Sequence, residues 1–210
     1  RPRRPRRRCP RWRTDPARSG AGGCVGDIGT HAFNIAGFVT GLKLESLSAE
    51  LTSYVPGRRV DDNVQANLRF HGGARGNLWA SQVAVGNENA LRLRVYGTKA
   101  GLEWDQENPN RMVFSKFGEG QQILTRGGAA ASEANMVATR IPAGHPEGYL
   151  EGFANLYRDA AEVISTLQRG EPASKSDVVT IDDGLDGMRF IQACIQSSEN
   201  NGAWAELSAL

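Results

Sequence analysis

The 210-residue chain has no apolar run long enough to cross a bilayer and no apolar core in its leading segment. Neither a spanning helix nor a secretory signal is therefore expected. Cysteine is scarce: Cys9, Cys24 and Cys194 are odd in number and widely separated, which argues against a disulfide framework and against zinc spacing. A reducing cytoplasm is the expected compartment. No G-x-G-x-x-G occurs between a strand and a helix, as a dinucleotide fold needs. Gly118 and Gly120 lack the third glycine and sit in an expected hairpin. The body of the chain also lacks a basic helix face and an aromatic ladder, so nothing beyond its first residues speaks for nucleic acid.

Those first residues distort the charge balance. Eight arginines fall within RPRRPRRRCPRWR, and without them the formal net charge of +2 becomes −6. The interleaved prolines favour an extended, solvated arm over residues 1–11. Such a run reads either as a nucleic-acid arm or as non-native sequence from a truncated or misassigned reading frame, and the second reading fits the acidic body better. The folded domain is placed at residues 12–210. With 40% hydrophobic and 23% charged residues, the 210-residue chain has the composition of a globular protein with a real core.

The chemistry gathers in Gly23-Cys24-Val25-Gly26-Asp27-Ile28-Gly29-Thr30-His31. Ile28, Ile35, Val39 and Leu42 follow with helical spacing, which predicts a helix over about Asp27 to Thr40, closed by Gly41. Residues four apart share a helix face, so Asp27 and His31 point the same way near the helix N-terminus. Two readings stay open. Asp27 is an N-cap beside a surface histidine, or the pair is a general acid–base unit in which the carboxylate orients the imidazole. Arg13 and Arg18 precede it in a turn-rich loop, and either reaches toward a ligand or makes a surface ion pair.

Alternating segments predict strands at Leu44 to Val55, Val64 to Phe70, Leu78 to Val85, Leu91 to Tyr96, Leu102 to Trp104, Met112 to Phe117 and Gln121 to Leu124. Short glycine turns between them imply a largely antiparallel sheet. Gly127 to Gly144 reads as a long loop. Helices are expected from Tyr149 to Gln168, with a buried stripe running from Leu150 to Leu167, and from Asp182 or Asp183 to about Glu199. Ala203 to Leu207 reads as an edge strand. The fold class is α+β: one open sheet with helices on one face. The other face, carrying Gln65, Asn67, Arg69, Arg92 and Arg94 but also Trp79 and Val83, is open to pairing with a second copy. His71 is expected on the surface and Cys24 in the packing.

Five stretches, taken in order, resemble one known family. WRTDPARSGAGGCVGDIGTH follows its W-R-x-D-P, glycine-rich, D-x-G-x-H pattern. Val60-Asp61-Asp62-Asn63, Val95-Tyr96-Gly97-Thr98-Lys99-Ala100-Gly101, Gly144-His145-Pro146-Glu147-Gly148-Tyr149 and Asp183-Gly184-Leu185-Asp186-Gly187-Met188 come after it. Together they resemble the C-terminal domain of the Gfo/Idh/MocA oxidoreductases, relatives of glucose–fructose oxidoreductase and inositol dehydrogenase, over about residues 12 to 208. The resemblance implies an NAD(P)-dependent dehydrogenase of a sugar, cyclitol or related polyol. His31 would move the hydroxyl proton and Asp27 would orient it, while Arg13, His145 and Tyr149 contact substrate hydroxyls. It also implies a homo-oligomer, dimer or tetramer, built through the sheet face. The family's Glu-Lys-Pro motif and its N-terminal Rossmann domain do not occur in this sequence. No NAD or NADP site and no metal site are therefore expected here, and the isolated chain is expected to be inactive. The alternatives are a non-catalytic oligomeric scaffold and a metal-dependent lyase or hydrolase ligated by Asp27, His31 and His145.

Overall fold

The computed structural model describes residues 11–172 and 178–207. The arginine-rich arm, apart from Arg11, lies outside them. The chain opens with a 3-10 turn at Arg11–Thr14 and the single-turn helix α1 (Pro16–Ser19). A π-helical turn at Val25–Gly29 runs directly into α2 (Thr30–Thr40). Seven strands follow: β1 (Leu44–Thr52), β2 (Asn63–Phe70), β3 (Arg75–Ser81), β4 (Arg92–Tyr96), β5 (Ala100–Asp105), β6 (Arg111–Lys116) and β7 (Gln122–Thr125). Helices α3 (Glu133–Ala138), α4 (Tyr149–Gln168) and α5 (Ile181–Glu199) precede the two-residue strand β8 (Ala205–Glu206). These elements divide between two compact units, one holding residues up to 87 and from 181 onward, the other residues 88–180.

The first unit is an antiparallel sheet in the order β3-β2-β1-β8 with helices on one face. Strand alternation puts Leu47, Ala49, Val64, Ala66, Leu68, Leu78 and Ala80 on that face, where they pack with Val25, Phe190, Ala193 and Cys194. A register shift between Leu44 and Ser46 lets Leu44 join Leu47 in the core, although the two are three positions apart and strict alternation would put them on opposite faces. The rings of Phe33 on α2 and Phe190 on α5 stack with centroids 4.5 Å apart, joining the two helices over the sheet. The opposite face is polar and open. Asn77 Nδ2 donates to Asn67 Oδ1 (2.6 Å), the exposed Trp79 donates to Asn63, and the Arg69 guanidinium lies over the Trp204 ring.

The second unit is an antiparallel sheet in the order β4-β5-β6-β7. Its register aligns Leu93, Trp104, Met112 and Leu124 across all four strands, beside Val95, Leu102 and Phe114. The α+β class and the antiparallel pairing hold, but the strands form two sheets of four rather than one. Two further expectations are corrected. The segment Gly127 to Gly144 contains α3, whose N-cap Ser132 accepts from the Asn135 amide. The apolar stripe of α4 is not buried: Leu150, Phe153, Leu156, Ile164 and Leu167 are all exposed.

Candidate functional site

Helix α2 does not begin at Asp27. The helical path starts a turn earlier, and Asp27 lies inside the π turn. Its N-terminus is capped from a distance by Asp61, on the segment leading into β2. Asp61 Oδ1 accepts from the Gly23 amide (2.5 Å), Oδ2 accepts from the Val25 amide (2.8 Å), and the Asp61 carbonyl accepts from the Cys24 amide (2.9 Å). Three of the orphan donors of a helix start are thus satisfied by one buried residue. The approach is so close that Gly23 has no room for a side chain, since a Cβ there would collide with the Asp61 carbonyl oxygen.

Burial raises the Asp61 carboxyl above its ordinary value, opposed by the amides it accepts from. Burial also pushes the Cys24 thiol up to about 12, helped by the negative charge of Asp61. Cys24 is therefore packing, not a nucleophile.

The π turn changes the relation between the acid and the histidine. A π turn closes i to i+5, so the four-residue step from Asp27 to His31 spans slightly less than one turn instead of slightly more. Val25 and Gly29 face inward, and Gly29 would place a Cβ 3.7 Å from the Val64 side chain. Asp27 and His31 both face solvent. Among the described residues, no hydrogen bond or ion pair is seen between these two side chains. Asp27 Oδ2 instead accepts from Gln82 Nε2 at 3.0 Å. Gln82 follows β3 and is 55 residues away in sequence, so no local spacing could have marked it. The N-cap reading of Asp27 is thereby replaced.

The other candidates separate. Arg13 lies in the opening 3-10 turn, and its side chain falls outside what the structure describes. Its neighbour Asp15 caps α1 and pairs with Arg59 at 2.5 Å, which ties the W-R-x-D-P segment to the β1–β2 connection. His145 and Tyr149 belong to the second unit. His145 is exposed, and its backbone is held: its carbonyl accepts from Arg126 Nη2 at 2.7 Å. Tyr149 opens α4, with its ring against Phe153 at 4.8 Å.

Beneath His145 lies a pair the sequence reading missed. Arg126 Nη1 meets Glu147 Oε2 at 2.7 Å, with side chains 13% and 6% exposed. Asn110 bridges both, accepting from Arg126 Nε and donating to the Glu147 carbonyl. Glu147 also accepts the Arg140 and Ile141 amides, so this network sets the backbone of the His145 loop. The next acid, Glu151, accepts from the Gly148 amide at the start of α4, which lowers its carboxyl below the usual range. A groove between α3 and α4, lined by Glu133, Val137, Asn155, Arg158 and Asp159, takes in neither His145 nor Tyr149.

Among the described residues no three His, Cys, Asp or Glu side chains gather to hold a metal ion. Among the same residues no helix is long and apolar enough to cross a membrane.

Comparison with known proteins places this geometry. Residues 1–103 match the model of the GFO/IDH/MocA C-terminal domain. An oxidoreductase of Sinorhizobium meliloti of known structure is 54% identical, with a TM-score of 0.81 over 86% of this chain and 51% of its own. An inositol dehydrogenase homologue of Azotobacter vinelandii, solved with NADH and myo-inositol, is 32% identical, with a TM-score of 0.87 over 93% of this chain and 52% of its own. Among curated proteins, the uncharacterised oxidoreductase YfiI of Bacillus subtilis (strain 168) is 30% identical over 200 residues, which is 93% of this chain and 51% of YfiI. The chain spans about half the length of each of these relatives.

Proposed function

This chain belongs to the Gfo/Idh/MocA oxidoreductase family, as its C-terminal domain, and on that premise we propose that it is the substrate-binding and oligomerisation half of an NAD(P)-dependent dehydrogenase of a sugar, cyclitol or related polyol. The observation that carries the reading is the state of the D-x-G-x-H turn. Gly29 and the preceding Cys24 and Val25 are buried, Ile28 is half-buried and the start is pinned by Asp61, yet Asp27 and His31 are both presented to solvent.

The cofactor is assigned to the other half of the oxidoreductase. A dinucleotide lays its pyrophosphate at a helix N-terminus that follows a parallel strand. Both sheets here are antiparallel throughout. The residues present do not fit that group. This chain supplies the proton chemistry. His31 accepts the proton of the substrate hydroxyl as it becomes a carbonyl, and returns it in the reverse direction. Asp27 orients the imidazole and stabilises its cationic form. General acid–base catalysis of this kind contributes about a hundred- to ten-thousand-fold.

Arg13, His145 and Tyr149 contact substrate hydroxyls. The polar face of the first sheet, with its exposed Trp79, pairs with a second copy. The two described cysteines, both free and buried, suit a reducing cytoplasm.

The test joins this chain to the half of the Sinorhizobium relative that it does not cover. Polyol-dependent reduction of NAD or NADP is expected, and His31→Ala should lower kcat by about a hundredfold or more. Turnover indifferent to His31 refutes the assignment. The chain alone should show neither turnover nor, by calorimetric titration, binding of NAD(H) or NADP(H). Micromolar binding would contradict that.

A further inference from the structure

Asp27 is held from across the unit, and the holder is itself oriented. Gln82 reaches Asp27 Oδ2 with Nε2 at 3.0 Å. At the other end of the same amide, Oε1 accepts from Arg58 Nη1 at 3.1 Å. Arg58 lies on the connection between β1 and β2, with a side chain only 12% exposed, and it faces the fully buried Asp62 at 3.6 Å. Asp62 accepts the Tyr54 and Val55 amides, so the carboxylate that anchors Arg58 is itself fixed to backbone. A guanidinium carries donors only. It can meet the oxygen end of a carboxamide and not the nitrogen end. With Oε1 committed to Arg58, Nε2 must point away from it, and Asp27 is where it points.

We propose that Gln82 is a positioning residue for the Asp27 carboxylate, with Arg58 setting the polarity of the Gln82 amide. The inference rests on the reading of Asp27 and His31 as the acid–base pair. Stability does not account for the arrangement. Arg58 already has its counter-charge in Asp62, and holding an exposed, rotamer-rich glutamine in one conformation has an entropic cost. Function does account for it. A lysine or arginine at position 82 would orient Asp27 but cancel its charge. A neutral amide orients the carboxylate and adds no counter-charge of its own.

Two experiments test this. In the 210-residue chain, the Gln82 side-chain NH2 protons should give a dispersed pair of NMR signals that collapses toward free-amide positions in Asp27→Ala. An unchanged pair overturns the contact. In the complete oxidoreductase, Gln82→Leu should lower kcat about tenfold with KM for the polyol within about twofold. Gln82→Glu still satisfies Arg58 but turns a second carboxylate on Asp27. It should fold as well as Gln82→Leu and turn over more slowly, the opposite of what a purely structural role requires. Gln82→Leu should add nothing in an Asp27→Asn background. If Asp27→Asn is crippled while Gln82→Leu and Gln82→Glu keep wild-type kcat, the positioning role is refuted and the acid–base reading stands. If Asp27→Asn itself keeps wild-type kcat, the acid–base reading fails first.

Discussion

Replacing Asp61 is the sharpest perturbation the first unit offers. Its carboxylate accepts the Gly23 and Val25 amides, and both of those residues are buried. Asp61→Ala leaves two N–H groups without partners and without water. A stranded buried donor costs about 1–3 kcal/mol, so the pair amounts to about 2–6 kcal/mol. Relief of a buried charge offsets part of this, and about 3 kcal/mol is expected. Asp61→Asn keeps one acceptor and turns an NH2 toward the other amide, for a loss of about 1–2 kcal/mol. Against a total stability of about 5–15 kcal/mol, the alanine variant is a severe lesion that should still fold.

Urea unfolding followed by circular dichroism measures it. A loss near 3 kcal/mol with an unchanged slope of about 2 kcal/mol/M moves the midpoint down by about 1.5 M. The pH dependence is a second check. Burial raises the Asp61 carboxyl in the folded chain above its ordinary 3.8. The folded state therefore holds this proton to higher pH than the unfolded state does. The stability Asp61 contributes through its proton is complete below the ordinary value and drains away as pH rises through the raised one. The gap between wild type and Asp61→Asn should accordingly be widest at the acid end and narrow as pH climbs out of the carboxylate range. A midpoint shift below about 0.5 M for the alanine variant refutes Asp61 as the buried cap, and a gap that widens with pH refutes the raised carboxyl.

Three further outcomes follow from the packing. Phe190 is fully buried and stacked on Phe33, so Phe190→Ala should cost about 3–5 kcal/mol in the same urea assay. Glu147→Ala leaves Arg126, 13% exposed, without its carboxylate and should cost about 3–5 kcal/mol, with faster amide exchange concentrated over residues 140–148. Burial pushes the Cys24 and Cys194 thiols up to about 12. In a Cys9→Ser variant, both should therefore resist a disulfide reagent at pH 8 until urea unfolds the chain, and fast labelling of the native protein would contradict the buried assignment.

Periodicity located the long elements because they are long. The apolar spacing of α4, stopped by Gly170, marked Tyr149–Gln168 with the observed limits, and α5 began within two residues of its expected start. The edge strand at Ala205–Glu206 was legible as a short apolar return after the Asn201 and Gly202 turn, where both residues have positive φ. What escaped was whatever depends on partners distant in sequence. The π turn leaves a hydrophobic pattern indistinguishable from an α turn over five residues, and its cap sits 36 to 38 residues downstream. Alternation says that a segment is a strand, not which strand lies beside it, so two sheets read as one. The stripe on α4 was read correctly as apolar and wrongly as buried, because a moment reports which face is apolar and not what covers it.

The same distinction bears on the site. The D-x-G-x-H pattern supplies the proposed acid and base, and three residues that hold the turn and its acid come from elsewhere: Asp61 before β2, Gln82 after β3, Arg58 between β1 and β2. All three flank strands of one antiparallel sheet, whose β2–β3 pairing runs from Asn63↔Ser81 to Arg69↔Arg75 without a slip. A slip of one residue between β2 and β3 would invert the facing of every side chain on the shifted strand. The register that buries Val64 against the helix is thus the register that delivers Asp61 to the Gly23 amide at one end of β2 and Gln82 to Asp27 at the end of β3. The acid and the imidazole are referenced to the core of the first unit. Their placement is fixed by the same hydrophobic pattern that makes the sheet, before any substrate or cofactor is present to organise them.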